Sequence, residues 1–385
     1  MRHWILPEHI EDLLPREAAK LEVLRRRILD LFGVHGYELV IPPLLEHIES
    51  LLTGTGYDLD LRTFKLVDQL SGRMLGVRAD ITPQVARIDA HLLNRQGISR
   101  LCYTGSVLHT QPSGLGRTRE PIQIGAEIYG HQGVESDIEI QTLMVRALES
   151  AGVGSLHLDL GHVAIFRALA QAARLERERE IELFQALQSK DVPQIRDLLA
   201  DVEQTLKDAF LRLPALYGGA SVLAIARQQL PALPEIHGAL TQLEQLCVAL
   251  SPVVPEVRVD LAELRGYHYH SGVVFAAYTA GYPNALALGG RYDQVGVAFG
   301  RARAATGFSM DLREIASVSP FVAERRALLA PYRPGDAALA ALIQKTREGG
   351  QTVVTDLPGH EQHRDELAYD RQFVLRNGQW SIENR

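Results

Sequence analysis

At 385 residues and 46% hydrophobic content the chain is long enough for about two or three domains around a large core. Its 40 Lys and Arg against 47 Asp and Glu leave a formal charge of -7 and a pI near 6.1, which argues against phosphate polymers as partners unless a local basic patch is hidden. Cys102 and Cys247 show no CxxC or Cys-His spacing, the start MRHWILPEHIEDLLP lacks the apolar core of a signal peptide, and no stretch reaches the roughly 18 apolar residues of a membrane span; neither a disulfide framework nor a structural zinc site is expected, and the expected chain is soluble and cytoplasmic.

In chain order, Leu21, Leu24, Ile28 and Phe32 recur at three- and four-residue spacing and predict a helix that Gly36 ends. Tyr37 to Ile41 reads as a strand closed by Pro42-Pro43, at an edge where the missing N–H does no harm. The glycine-rich QPSGLGRTRE from Gln111 lacks the lysine of a P-loop and reads as a mobile loop. Gln123 and Glu127 lie four apart on a predicted strand, so their side chains share one face.

From about 161 to 255 the sequence turns helix-rich, and its ERERE run at Glu176 to Glu180 reads as a solvated helix face. His268 and His270 flank Tyr269; His-x-His suggests a metal, but with no third ligand to place, packing or ligand contact is the better reading. His157 and His162 read as structural residues. Beyond Ser317 the pattern predicts a strand near Leu328, a helix over Ala337 to Arg347, a strand at Thr352 to Thr355, and a hairpin over Phe373 to Ile382 turned by Asn377-Gly378. The expected organisation is an α+β core over 1–320, with a helical insertion at about 161–255, and a small α/β domain over 321–385. That tail mixes Arg and Lys with Asp and Glu and offers no concentrated positive face for nucleic acid.

Three segments carry a family resemblance: GSVLHTQPSGLGRTREPIQIGAEIYG from Gly105 to Gly130, LRGYHYHSGVVF from Leu264 and GGRYDQVGVAFGRARAATGFSM from Gly289. They resemble the catalytic core of histidyl-tRNA synthetase, a class II aminoacyl-tRNA synthetase. The resemblance implies an antiparallel sheet flanked by helices, with the first helix and strand building a homodimer interface. It also implies an ATP site that has been altered. Leu108, His109, Thr110 and Gln111 stand for the family's Phe-Arg-x-Glu, while Gly116, Arg117, Arg119, Gln123, Gly125 and Glu127 match the rest of that motif. Asp311, Leu312, Arg313 and Glu314 stand for Gly-Leu-Glu-Arg, so a carboxylate replaces a cation that meets the nucleotide. Only a guanidinium offers a permanently charged planar fork to phosphate, and neutral histidine at position 109 is a poor substitute.

The amino-acid pocket is better kept. By resemblance Asp80 and Thr82 hold a substrate ammonium, Gln123 faces the amino-acid backbone, Glu127 the imidazole and Arg265 the carboxylate. Tyr269 and His270 close the family's Arg-Gly-Leu-Asp-Tyr-Tyr signature, with His270 in place of a phenol. Over its full length, and in the run LLTGTGYDLDLRTFKLVDQLSGRMLGVRADITPQVARIDAH from Leu51, the chain is similar to the histidyl-tRNA-synthetase-like regulatory subunits of ATP phosphoribosyltransferase. The tail from Phe321 is also shorter than a synthetase anticodon-binding domain.

This family implies a chain without chemistry, cofactor or metal of its own, in a hetero-octamer with a short catalytic chain that joins ATP and phosphoribosyl pyrophosphate. Histidine is the implied effector, bound in the former substrate pocket. Two alternatives stay open: a divergent active synthetase in which Arg117, Arg119 or Arg313 replaces the lost arginine, and a free-standing histidine sensor that docks on another protein.

Overall fold

In the computed structural model the opening helix, Pro15–Val34, places its proline in the first turn, where an N–H has no intrahelical partner to lose. Its buried face is Leu21, Leu24, Ile28 and Phe32, and the Phe32 ring meets Phe308 edge-on at 5.9 Å. Burying one such phenylalanine stabilises the packing by about 1.5–3 kcal/mol. Gly36, at φ +83, turns the chain out of the helix in a conformation that a side chain would strain.

The structure describes residues 5–53, 57–112, 114, 116–267, 269–298, 300–322, 326–359 and 361–385. It divides into two compact units, Met1–Phe321 and Val322–Arg385. The strands of the first unit are β1 Glu38–Leu39, β2 Leu45–His47, β3 Phe64–Val67, β4 Met74–Val77, β5 Ser99–Ser106, β6 Ile122–Tyr129, β7 Leu156–His162, β8 Tyr217–Gly218, β9 Glu256–Asp260, β10 Val273–Thr279, β11 Ala287–Arg291 and β12 Ala305–Asp311. Among the described residues, nine of them form one sheet in the order β1-β5-β6-β12-β11-β10-β7-β9-β8. It is antiparallel except where β1 joins β5 and β7 joins β9.

The strand predicted over Tyr37 to Ile41 is shorter: Glu38 and Leu39 pair with Leu101 and Cys102, and the Val40 N–H donates to the Cys102 carbonyl at 2.9 Å. Ile41 precedes Pro42-Pro43, which have no N–H to donate, so the ladder stops early. Tyr37 is instead buried in the core, its hydroxyl donating to Glu139 at 3.0 Å.

Alternation along β6 separates two environments. Ile124, Ala126 and Ile128 join the large core beneath the helices Pro15–Val34 and Val134–Ser150. Gln123, Gly125, Glu127 and Tyr129, one step out of phase, face the other way. That second face carries a smaller core of Ile81, Val85, Leu101, Tyr103 and Tyr292, and beside it a cavity.

The predicted insertion supplies the helices Val163–Ala172, Arg177–Gln188, Val192–Leu198, Gln204–Arg212, Ser221–Gln229 and Pro234–Leu250. It shares the large core, with Phe166 edge-on to Phe210 at 5.9 Å and to Tyr267 at 5.0 Å, and it extends the sheet by β8. Arg291 on β11 and Asp137 on the helix Val134–Ser150 make a buried ion pair at 2.9 Å, with side chains 6% and 4% exposed.

In the second unit the strands are β13 Ala327–Pro331, β14 Val353–Asp356, β15 Tyr369–Arg376 and β16 Gln379–Asn384, ordered β14-β13-β15-β16. The helix Ala337–Glu348 connects the parallel pair β13 and β14, and Asp336 caps it by accepting from the Leu339 N–H at 2.9 Å. Asn377 and Gly378, both at positive φ, close the two-residue hairpin between Arg376 and Gln379.

Candidate functional site

The cavity on the second face of the sheet measures about 480 Å³. Its floor owes its shape to missing side chains. Gly307 on β12 stands opposite Glu127 on β6, and a Cβ there would lie 1.4 Å from the Glu127 Oε2. Glycine at 307 is therefore what lets a carboxylate lie flat on the sheet.

Glu127 is 1% exposed and ringed by hydroxyls. Tyr103 donates to it at 3.0 Å, Thr82 at 3.2 Å, and Tyr292 makes a third contact. Burial pushes the Glu127 carboxyl up to about 8, although the Tyr292 and Tyr103 hydroxyls pull the other way. It is thus largely protonated at neutral pH.

Asp80 accepts from the Thr82 N–H and from Gln123 Nε2, both at 2.9 Å, while Gln123 Oε1 accepts from the Ile81 N–H at 2.9 Å. Asp80, Thr82, Gln123 and Glu127 thus form one linked polar cluster. Tyr269 and His270 line the wall beside it. The Tyr269 ring leans on Tyr292 at 5.0 Å, and its buried hydroxyl has no partner among the described residues. Gly266 and Gly290 flank the His270 ring, and burial pushes the imidazole down to about 4, so it is neutral at pH 7.

Arg265 borders the cavity, but its guanidinium is engaged. Its Nε and Nη2 meet Glu263 at 3.2 and 2.7 Å, and Nη2 also donates to Tyr278 at 2.6 Å. Glu263, two residues away and 13% exposed, is the nearest anion available to it.

The positions that the resemblance sets at a nucleotide fare differently from one another. His109 is buried, its Nε2 donating to the Ala79 carbonyl at 2.9 Å, which leaves Nδ1 as the acceptor facing Arg62 Nη2 at 3.2 Å. Burial and the Arg62 cation push His109 down to about 4. Arg117 and Glu314 find each other: Nε lies 2.6 Å from Oε1 and Nη2 donates to Oε2 at 2.9 Å. Gln111 is exposed and does not border the cavity, so the structure does not bring it to the site. Arg119 donates to the His109 carbonyl at 3.0 Å and lies over the Phe64 ring, and Arg313 faces Glu11 at 3.8 Å.

His268 of the His-x-His run, and Ser113 and Leu115 of the glycine-rich loop, lie outside the described residues. His162 caps the helix Val163–Ala172 and contacts Gln242 at 2.8 Å. Among the described residues no group of three or more His, Cys, Asp or Glu is arranged to hold a metal, and no helix is long and apolar enough to cross a membrane.

Sequence reasoning missed Tyr103 and Tyr292 as partners of Glu127, and missed Arg62 and Glu263. Tyr103 faces Gly125 across the β5–β6 ladder, and alternation from that pairing would have put it on the cavity face. Tyr292 follows Gly289-Gly290-Arg291 within a quoted motif. Nothing in the local pattern marks Arg62.

Comparison with known proteins bears on both units. The family model described as histidyl-tRNA synthetase matches residues 9–315, and that of the ATP phosphoribosyltransferase subunit HisZ C-terminal domain matches residues 325–383. Proteins named ATP phosphoribosyltransferase regulatory subunit are similar along the whole chain. One from Ralstonia pickettii is 59% identical over 100% of this chain and 98% of its own length, and one from Nitrosospira multiformis is 58% identical over 99% and 98%. A solved ATP phosphoribosyltransferase regulatory subunit/histidyl-tRNA synthetase from Bacillus halodurans superposes with a TM-score of 0.86 at 26% identity, covering 97% of this chain and 98% of that one. The histidyl-tRNA synthetase of Nostoc shares the fold, with a TM-score of 0.80 at 16% identity over 99% and 97% of the two chains.

Proposed function

This chain belongs to the family of ATP phosphoribosyltransferase regulatory subunits, and from that membership we propose that it activates a separate, short catalytic chain and makes it answer to histidine. The catalytic chain joins ATP to phosphoribosyl pyrophosphate; this one performs no chemistry. We place the complex in the cytoplasm as a hetero-octamer, with this subunit self-associating as a class II-type homodimer.

One observation supports the reading: the polar cluster expected to hold an amino acid is intact, while the positions expected to hold a nucleotide carry no free cation fork. Asp80 and Gln123 remain linked beside Glu127, whereas His109 is neutral and Arg117 is neutralised by Glu314. Charge-assisted hydrogen bonds are worth roughly 1.5–3 kcal/mol each, so losing two lowers ATP affinity by about 10²- to 10⁴-fold. The arginines that a divergent synthetase would recruit are held elsewhere: Arg117 on Glu314, Arg119 on the His109 carbonyl, and Arg313 beside Glu11.

Histidine fits the remaining end, its ammonium on Asp80, Thr82 and Gln123 and its imidazole on Glu127, with Tyr269, His270 and Arg265 around it. If it binds the inhibited arrangement of the complex more tightly, that difference shifts the equilibrium, typically by about 1–3 kcal/mol of coupling. The test is phosphoribosyl transfer by the short catalytic chain with and without this protein, across a histidine titration. The rate rises on mixing and falls again with histidine. No complex and no change in rate would send the reading to a free-standing sensor with another partner.

The cavity also sets a pH dependence. Free histidine's imidazole titrates near about 6.5, and Glu127 near about 8. The bound pair shares one proton whichever group holds it. Below the first value the partners must release a proton to bind, and above the second they must take one up, so affinity peaks between them and falls by about tenfold per pH unit outside. Calorimetry across pH reads this, and Glu127→Gln flattens the alkaline limb. For the empty protein, a carboxyl raised from its ordinary 4.5 contributes stability that is fully present below 4.5 and lost as pH rises through about 8. The unfolding midpoint falls across that window, and falls less in Glu127→Gln.

A further inference from the structure

An amino acid brings a carboxylate as well as an ammonium, and both sit on one carbon. Whatever cation receives the carboxylate must therefore stand beside Asp80. Among the described residues three arginines border the cavity: Arg62, Arg117 and Arg265. Two are already neutralised by carboxylates of the chain itself, Arg117 by Glu314 and Arg265 by Glu263. Drawing either away would leave a mostly buried carboxylate without its partner, a cost set against every hydrogen bond the ligand makes.

Arg62 is different. Among the described residues it has no carboxylate partner, and its contacts are with the neutral His109 ring, at 3.1 and 3.2 Å. Its place is fixed by backbone. The Thr110 N–H donates to the Arg62 carbonyl at 3.0 Å, the Thr110 hydroxyl donates to the Leu61 carbonyl at 2.7 Å, and Thr63 bridges His109. His109 in turn donates to the carbonyl of Ala79, the residue before Asp80. The guanidinium is thus tied to the ammonium end through a short chain of contacts, while Arg265 is turned toward Tyr278.

We infer that Arg62, and not Arg265, receives the carboxylate of the amino acid bound in this cavity, which makes Arg62 the residue that distinguishes an amino acid from the corresponding amine or alcohol. The inference rests on the histidine reading of the site. His109 then acts as a positioning residue: it holds Arg62 through a neutral ring that leaves the cation's charge available.

The experiment is calorimetric titration of the full chain with L-histidine and with histidinol, which keeps the ammonium and imidazole and lacks the carboxylate. The wild type binds histidine about 10- to 100-fold more tightly than histidinol, the range of one charge-assisted contact. Arg62→Gln brings that ratio close to one with little change for histidinol, and Arg62→Lys, which keeps the charge without the fork, falls between. Glu263→Gln frees Arg265, leaves Arg62 untouched and leaves the ratio as in the wild type. A ratio preserved in Arg62→Gln, or raised in Glu263→Gln, overturns the inference and returns the carboxylate to Arg265. A wild type that binds neither compound overturns the histidine reading itself, and this inference with it.

Discussion

Glu127→Ala lowers histidine affinity by at least about 100-fold, and the histidine concentration that half-inhibits the assembled transferase rises by the same factor. The alanine removes a charge-assisted contact of roughly 1.5–3 kcal/mol and leaves the hydroxyls of Tyr103 and Tyr292 only the weaker acceptors Thr82 and Tyr129, at 3.0 and 3.3 Å. Exchanging a carboxylate acceptor for a hydroxyl costs about 1 kcal/mol more. Glu127→Gln still accepts from those hydroxyls but cannot exchange a proton with an imidazole, so its loss is smaller and its pH profile flatter. Calorimetry on the isolated chain, alongside inhibition of the complex, separates loss of binding from loss of coupling. Histidine affinity within about threefold of wild type in Glu127→Ala would put the effector somewhere else.

Asp137→Ala destabilises the first unit by about 1–3 kcal/mol, because it removes the nearer and more deeply buried of the two carboxylates on the Arg291 guanidinium. Arg291 would keep the carbonyls of His131 and Gly133, at 3.2 and 3.1 Å, the Ser136 hydroxyl at 2.9 Å and, at 3.3 Å, the more exposed Asp293 carboxylate. Burial pushes the Asp137 carboxyl above its ordinary value even against the attraction of Arg291, a sign of how dry the position is. Denaturant unfolding reads the loss. Replacing the pair together, Asp137→Leu with Arg291→Met, recovers most of it, since removing both charges removes the desolvation that each imposed. A double variant as unstable as Asp137→Ala would mean that the site needs the ions for shape.

Elements whose signal is local were legible in the sequence. Leu21, Leu24, Ile28 and Phe32 line one face of a helix by spacing alone, and Asn377-Gly378 announces a turn because those residues accept positive φ. Period-two alternation likewise put Gln123 and Glu127 on one face of β6. Alternation gives the face and not the neighbours, however. The hydroxyls on Glu127 come from Thr82, Tyr103 and Tyr292, from three separate segments of the chain, and no local pattern in one segment reports another. Arg265 shows the same limit: its place beside the cavity followed from a motif, but its pairing with Glu263 and Tyr278 depends on how a turn and a strand meet in space. Gln111 failed for a further reason, since motif alignment fixes a position along the chain while an exposed loop leaves its side chain free to point outward.

The contact between Arg117 and Glu314 opposes any change toward nucleotide binding. Restoring arginine at position 314 alone would set two guanidiniums against each other where one now rests on a carboxylate, and like charges in a partly buried site repel. Arginine at position 109 alone would set a second cation against Arg62. Each single step back toward nucleotide binding therefore passes through a less stable chain before any catalytic benefit appears. A subunit built this way is held to its regulatory task by its own electrostatics, and its return to adenylation would need several changes at once.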